Sequence, residues 1–139
     1  MSLRILHVED SDVVCSAVAD LLRLYIPSAV SLGHCGEAPQ AIQRIADEHP
    51  DLVILDLSLI NGTGFDVLRA ITGKHQRPIV VVYSNFSRWE HRKHAADLGA
   101  DHFFNKSREI AGLCRLLQNL ENSPPTERPS VALRTAPRM

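Results

Sequence analysis

With 139 residues, 45% of them hydrophobic and 22% charged, the chain has material for one ordinary core and none for a second domain of usual size. A formal charge of −1 gives no global argument for binding nucleic acid or an anionic membrane. Cys15, Cys35 and Cys114 are odd in number and lack CxxC spacing, which excludes a disulfide framework or zinc ribbon and suits small apolar fillers in a reducing compartment.

The N-terminus MSLRILHVED has neither the apolar core nor the small-residue cleavage site of a signal peptide. No run approaches the roughly 20 apolar residues that span a bilayer. A cytoplasmic protein without membrane insertion is expected. RILHVE, residues 4–9, reads as a buried strand ending in the adjacent acids Glu9 and Asp10. Val14, Ala17, Val18, Leu21, Leu22 and Tyr25 then recur at helical spacing from about Ser11 to Ile26, with Pro27 as the stop. Residues 29–33 form a weaker strand. Residues 36–48 form a second helix with Ala38, Ala41, Ile42 and Ile45 inward and Pro39 in its first turn.

DLVILD, residues 51–56, is apolar on both faces, the mark of a strand buried in a parallel sheet, and Asp56 closes it. A loop with Asn61, Gly62 and Gly64 leads to a short helix carrying Phe65, Leu68 and Ile71, capped by Gly73. Pro78 opens the strand IVVVY, residues 79–83, which ends in Ser84 and Asn85. Ser87-Arg88-Trp89-Glu90 matches a capping box for the next helix, and Gly99 is its left-handed stop. DHFFN, residues 101–105, is a last strand leading to Lys106. Ser107 can cap a helix with the stripe Ile110, Leu113, Leu116, Leu117 and Leu120. From Asn122 the chain holds four prolines and only two larger aliphatics, Val131 and Leu133. Residues 1–121 are thus expected to form the domain, and 122–139 a flexible proline-rich tail that cannot offset its chain entropy.

Strict strand-helix alternation with short connections gives a parallel sheet with helices on both faces. Its strand ends then bring Glu9, Asp10, Asp56, Ser84 and Lys106 to one rim, the side on which ligands of such sheets bind. Three close carboxylates repel one another unless a cation intervenes, and hard oxygen ligands with room for water favour Mg²⁺. No glycine-rich phosphate loop opens any helix. A carboxylate flanked by metal, hydroxyl and ammonium suits attack on phosphorus and an aspartyl-phosphate product.

ILHVED, VILDLSLINGTGFDVL, IVVVYS and FFNKS, in that order, resemble the receiver domains of two-component response regulators, in the layout of the stand-alone chemotaxis regulator. The resemblance runs from Leu3 to about Leu120. It implies a flavodoxin-like, three-layer doubly wound α/β sandwich, its five-stranded parallel sheet in order 2-1-3-4-5. It implies Asp56 as phosphoryl acceptor, with Glu9, Asp10, Asp56 and the Ser58 backbone carbonyl holding Mg²⁺. Ser84 would be the switch hydroxyl, Lys106 the ion-pair partner of the phosphoryl group, and Phe103 the aromatic that turns inward. The phosphodonor would be a sensor histidine kinase or histidine phosphotransfer protein. Output would pass to a protein target through the Ser87 to Leu120 face, with no direct DNA binding, and a homodimer is compatible. Any catalysis would be confined to self-catalysed phosphotransfer and autodephosphorylation.

Glu9 stands where many members have a second aspartate. Asn85 replaces a usual Ala or Gly and narrows the approach to Asp56, Ile60 replaces a frequent proline, Ser107 replaces the proline after Lys106, and Phe103 lacks a phenol hydroxyl. Two other readings stay open: a receiver-like interaction module that is never phosphorylated, and a haloacid-dehalogenase-type phosphatase. The latter needs a second acid where Ser58 stands. His7 is expected as a packed core residue, and His91 and His94 as a solvated helix face. The basic run from Arg88 to His94 suits either solubility or an acidic partner. Trp89 either covers the core edge or serves a partner surface.

Overall fold

The computed structural model describes residues 2–74 and 77–123; of the expected 122–139 tail only Asn122, which still belongs to the last helix, and Ser123, its C-cap, are among them, and the rest lies outside the described residues. Strands β1 (Arg4–Val8), β2 (Val30–Cys35), β3 (Leu52–Leu55), β6 (Ile79–Ser84) and β7 (His102–Asn105) form one parallel sheet in the order β2-β1-β3-β6-β7. A two-residue-per-strand antiparallel hairpin, β4 (Ser58–Leu59) with β5 (Gly62–Thr63), stands apart. Without it, the order is the doubly wound 2-1-3-4-5.

The unbroken apolar runs of β3 and β6 divide between two cores, as side chains alternate across a sheet. Leu6, Val8, Val53, Leu55, Val80 and Val82 face one way, onto α2 (Ala38–Glu48), α3 (Gly64–Ile71) and α4 (Trp89–Asp97). Ile5, Leu52, Ile54, Val81 and Tyr83 face the other, onto Val18 and Leu22 of α1 (Asp12–Tyr25) and Leu113, Leu117 and Leu120 of α5 (Ile110–Asn122). Among the described residues no helix is long and apolar enough to cross a membrane.

Several local expectations shift. β2 runs on to Cys35, because Gly33 takes φ +84° and the register with β1 slips between Ile5 and His7. An exposed edge strand of this kind lacks the apolar signature that marks its centre. α2 starts at Ala38 rather than Gly36. Gly36 O accepts from Ile60 N (2.9 Å) and Ala38 N donates to Ile60 O (3.0 Å), which holds the intervening backbone extended. Thr63 and Asp66 form a capping box at the start of α3. The box expected at Ser87 does not form. Arg88 is the N-cap of α4 without a side-chain bond, and the Ser87 hydroxyl instead accepts from Asn105 Nδ2 at 2.7 Å. Ser107 likewise does not cap α5, whose N-cap is Glu109; its hydroxyl donates to Asn85 Oδ1 at 3.1 Å. Gly99 does end α4 in the left-handed region, φ +103°.

Gly64 sits where the hairpin returns beneath the end of β3. A Cβ there would press into the carbonyl oxygen of Asp56 and lie 2.9 Å from Leu57 Cα, and backbone atoms cannot yield as a flexible side chain would. Gly64→Ala is expected to lower stability by about 1–3 kcal/mol. Urea unfolding followed by circular dichroism measures it, and an unchanged midpoint would show that the turn has slack.

Candidate functional site

The C-terminal ends of β1, β3, β6 and β7 place the expected rim residues together because the strands are parallel and closely in register. Backbone bonds fix the acids. Asp56 N donates to Val8 O (2.9 Å), and Glu9 N donates to Cys35 O (2.8 Å). Ser11 N donates to Glu9 Oε2 (3.1 Å) while its own hydroxyl caps α1. Glu9 and Asp56 are buried, whereas Asp10 is exposed. One carboxylate oxygen from each of the three lies within 4.8 Å of the others.

The Lys106 ammonium meets this charge, 2.5 Å from Glu9 Oε1 and 3.1 Å from Asp56 Oδ2. Burial pulls its pKa down, but bonds and charges from Glu9 and Asp56 outweigh burial and leave it raised. The Glu9 pKa is raised too. Desolvation is the main cause and the Asp56 charge adds to it, against the pull of Lys106. One ammonium therefore does not fully compensate the buried acids. Three carboxylate oxygens within 4.8 Å of one another, served by a single ammonium, are hard ligands of the kind a Mg²⁺-sized cation takes, so the donor set fits that ion.

Ser84 is fully buried. Its hydroxyl oxygen accepts from Leu57 N (3.5 Å) and Phe86 N (3.2 Å), which ties it to the residue after Asp56. Ser58 lies on the exposed arm of the hairpin. Phe103 is half-buried against the core on the α2, α3 and α4 side, with the Arg92 guanidinium 4.7 Å from its ring centroid. The structure thus joins the acids, Lys106 and Ser84 at one rim, and sets Phe103 two residues back along β7, opposite Val82 and under the Arg92 guanidinium. Asn85 is exposed and drawn to Ser107, while Ile60 is half exposed on the hairpin.

Two site neighbours went unrecognised in the sequence. Asn105 is buried, and its Oδ1 accepts from Ser107 N and Arg108 N, both at 2.9 Å, which shapes the turn that presents Lys106. An Asn preceding a turn is a legible signal for that role. His7 is a packed core residue, as expected, but its surroundings include the site. Its pKa is lowered to about 4, chiefly by burial and next by the Lys106 charge, and its Nδ1 has no hydrogen-bond partner among the described residues. His91 and His94 are not simply solvated: His94 packs 4.6 Å from the Phe65 ring and His91 meets Phe86 edge-on at 5.5 Å. Trp89 is 68% exposed, so it covers no core. Cys15 and Cys35 are buried free thiols, and burial pushes Cys15 up to about 11, which leaves it inert.

A family model described as a response regulator receiver domain matches residues 5–118. The protein-glutamate methylesterase/protein-glutamine glutaminase 2 of Koribacter versatilis is 30% identical over 112 residues, 80% of this chain and 31% of that protein. The DNA-binding transcriptional activator EvgA of Escherichia coli K12 is 26% identical over 107 residues, 76% of this chain and 52% of EvgA. The chain therefore spans about a third to a half of the length of these curated relatives. The phosphorylated cyanobacterial phytochrome response regulator RcpA superposes with a TM-score of 0.73 at 23% identity, covering 87% of this chain and 92% of that one. The response regulator domain of Thermotoga maritima CheB gives 0.74 at 19% identity, with 90% and 100% covered. At those identities the likeness to the solved structures is one of fold.

Two consequences can be measured on the metal-free protein in EDTA. Lys106→Met removes the counter-charge of two buried acids and is expected to cost about 3 kcal/mol at pH 7. The deficit should shrink toward pH 5, because Lys106 holds the Glu9 pKa down and its removal raises that pKa further, so the folded variant takes up a proton more readily than the folded wild type; urea midpoints at the two pH values test this. For His7 the folded pKa lies below the unfolded one. Stability it contributes is present above pH 6.5 and lost as pH falls toward about 4, a total of about 3 kcal/mol. His7→Leu should remove that acid limb, and an unaltered pH profile in the variant would refute the assignment.

Proposed function

Because the chain belongs to the response regulator receiver domain family, we propose that it accepts a phosphoryl group on Asp56 from the phosphohistidine of a sensor kinase or phosphotransfer protein. The observation that carries this reading is the buried Glu9, Asp56 and Lys106 cluster at the strand ends, with the Ser84 hydroxyl tied to the backbone beside Asp56. An Asp56 oxygen attacks phosphorus, the P–N bond breaks, and the donor imidazole leaves as the neutral ring after taking a proton.

In this reading Lys106 changes partners. It balances Asp56 before transfer and can pair with the phosphoryl oxygens after it, since the ammonium already lies 3.1 Å from the accepting carboxylate. The Ser84 hydroxyl can turn from its backbone donors to donate to the same group. Glu9, Asp10, Asp56 and the Ser58 carbonyl are the proposed Mg²⁺ ligands. The bound cation supplies charge neutralisation at the phosphoryl oxygens. The phosphoryl group adds a charge of about −2, enough to bias two arrangements that differ by a modest free energy.

Phe103 and the Ser87 to Leu120 face would carry the change to a protein partner in the cytoplasm. Glutaminase, esterase and DNA-binding activities belong by name to the longer relatives. A phosphatase of the haloacid-dehalogenase type is disfavoured because Ser58 offers no carboxylic acid for the leaving group.

Incubation with Mg²⁺ and a small phosphodonor, or with a cognate kinase, should yield an alkali-labile, hydroxylamine-sensitive phosphate. Asp56→Asn should reduce it to background, at least about 100-fold. No adduct from either donor would reject the reading and leave the unphosphorylated interaction module.

A further inference from the structure

Helix α4 has a thin apolar footing. Ala95 is its one buried residue, and it otherwise leans on the Phe65 and Phe86 rings through His91 and His94. Arg92 supplies a polar anchor on the opposite flank. Its Nε donates to Ser87 O (3.1 Å) and its Nη1 donates to Phe103 O (3.4 Å). Nη2 is ion-paired with Glu109, and the guanidinium stands over the Phe103 ring, 4.7 Å from its centroid. A single side chain therefore joins the loop after Ser84, strand β7 and the cap of α5. Glu109 is held in the same knot, since its Oε1 also accepts from Asn105 N at 2.9 Å.

We propose that Arg92 is a positioning residue that latches the resting arrangement, fixing the Ser87 carbonyl and seating the Phe103 ring beneath its guanidinium. That Ser84 and Phe103 are the switching groups rests on the function proposed above. Displacing Ser84 toward a phosphoryl group pulls on the loop that carries Ser87. Turning Phe103 inward takes its ring out of the cation–π contact. Either motion breaks an Arg92 interaction whose guanidinium is about one-third exposed. Two neutral ties hold the same loop, Asn105 Nδ2 to Ser87 Oγ and Ser107 Oγ to Asn85 Oδ1, but neither reaches the aromatic ring. Lysine could keep the ion pair with Glu109, but it lacks the planar fork that serves loop, strand and ring together.

The test uses the full chain and two readouts. The first is the Phe103 side-chain rotamer by NMR in ligand-free protein. The second is a beryllofluoride titration with Mg²⁺, followed by the fluorescence of Trp89, which lies one turn from Arg92. In R92Q the ring should average between rotamers and half-saturation should fall about 3- to 10-fold, with R92K between R92Q and the wild type. In an F103L background the effect of R92Q should shrink below about 2-fold. Urea midpoints separate this from a structural role, which would lower stability without moving the titration. A rigid ring with unchanged or weaker beryllofluoride binding in R92Q overturns the latch, as does an R92Q effect undiminished by F103L. If R92Q frees the ring but the wild type gives no beryllofluoride response, the latch on the ring stands and the phosphoryl-acceptor reading fails.

Discussion

Two buried carboxylates, with a third at the surface beside them, share one ammonium at the ends of parallel strands. Much of the molecule serves to hold that imbalance. Isolated ionised groups do not survive removal from water, so the acids need fixed donors and a counter-ion that cannot drift away. The sheet supplies both. Backbone bonds between neighbouring strand ends lock Glu9 and Asp56, and the turn shaped by Asn105 delivers Lys106 across two strands. Two apolar cores, one on each face, provide the rigidity against which this electrostatic tension is held.

The polar straps around the site divide into two kinds. Those that reach Asp56 and Glu9 run through the backbone of buried strands and would be costly to rearrange. Those that join the β6 to α4 loop to the end of β7 and the turn after it run through side chains, Ser87 with Asn105 and Asn85 with Ser107, and the exposed Ser107 to Asn85 bond can exchange partners with water at little cost. The chemistry is thus set on the stiff part of the structure, and the responsive part begins one residue beyond Ser84.

What was legible in the sequence followed from burial. β3 and β6, apolar on both faces, announced a parallel sheet. That inference alone brought Glu9, Asp56, Ser84 and Lys106 to one rim, where the structure has them. Edges and caps were harder to read. The reach of β2 depends on a left-handed glycine inside an exposed strand, and the hairpin after Asp56 is held by backbone bonds to Gly36 and Ala38, partners distant in sequence. Ser87 and Ser107 looked like helix caps because their local spacing is right. Both hydroxyls are taken by long-range partners instead, and one-dimensional spacing carries no record of such competition. The role of His7 was hidden for the same reason, since its titration depends on neighbours from other strands.

Helix α4 buries one side chain, while the central strands β3 and β6 are buried on both faces. Local unfolding free energies follow such differences, so this helix belongs to the low end of the stability range and the central strands to the high end. Its opening is then decoupled from global unfolding. A perturbation of a few kcal/mol at the strand ends can redistribute the ensemble of α4 while leaving the population of unfolded chains nearly unchanged. The molecule can afford a sensitive surface because the apolar contacts that keep it folded lie elsewhere.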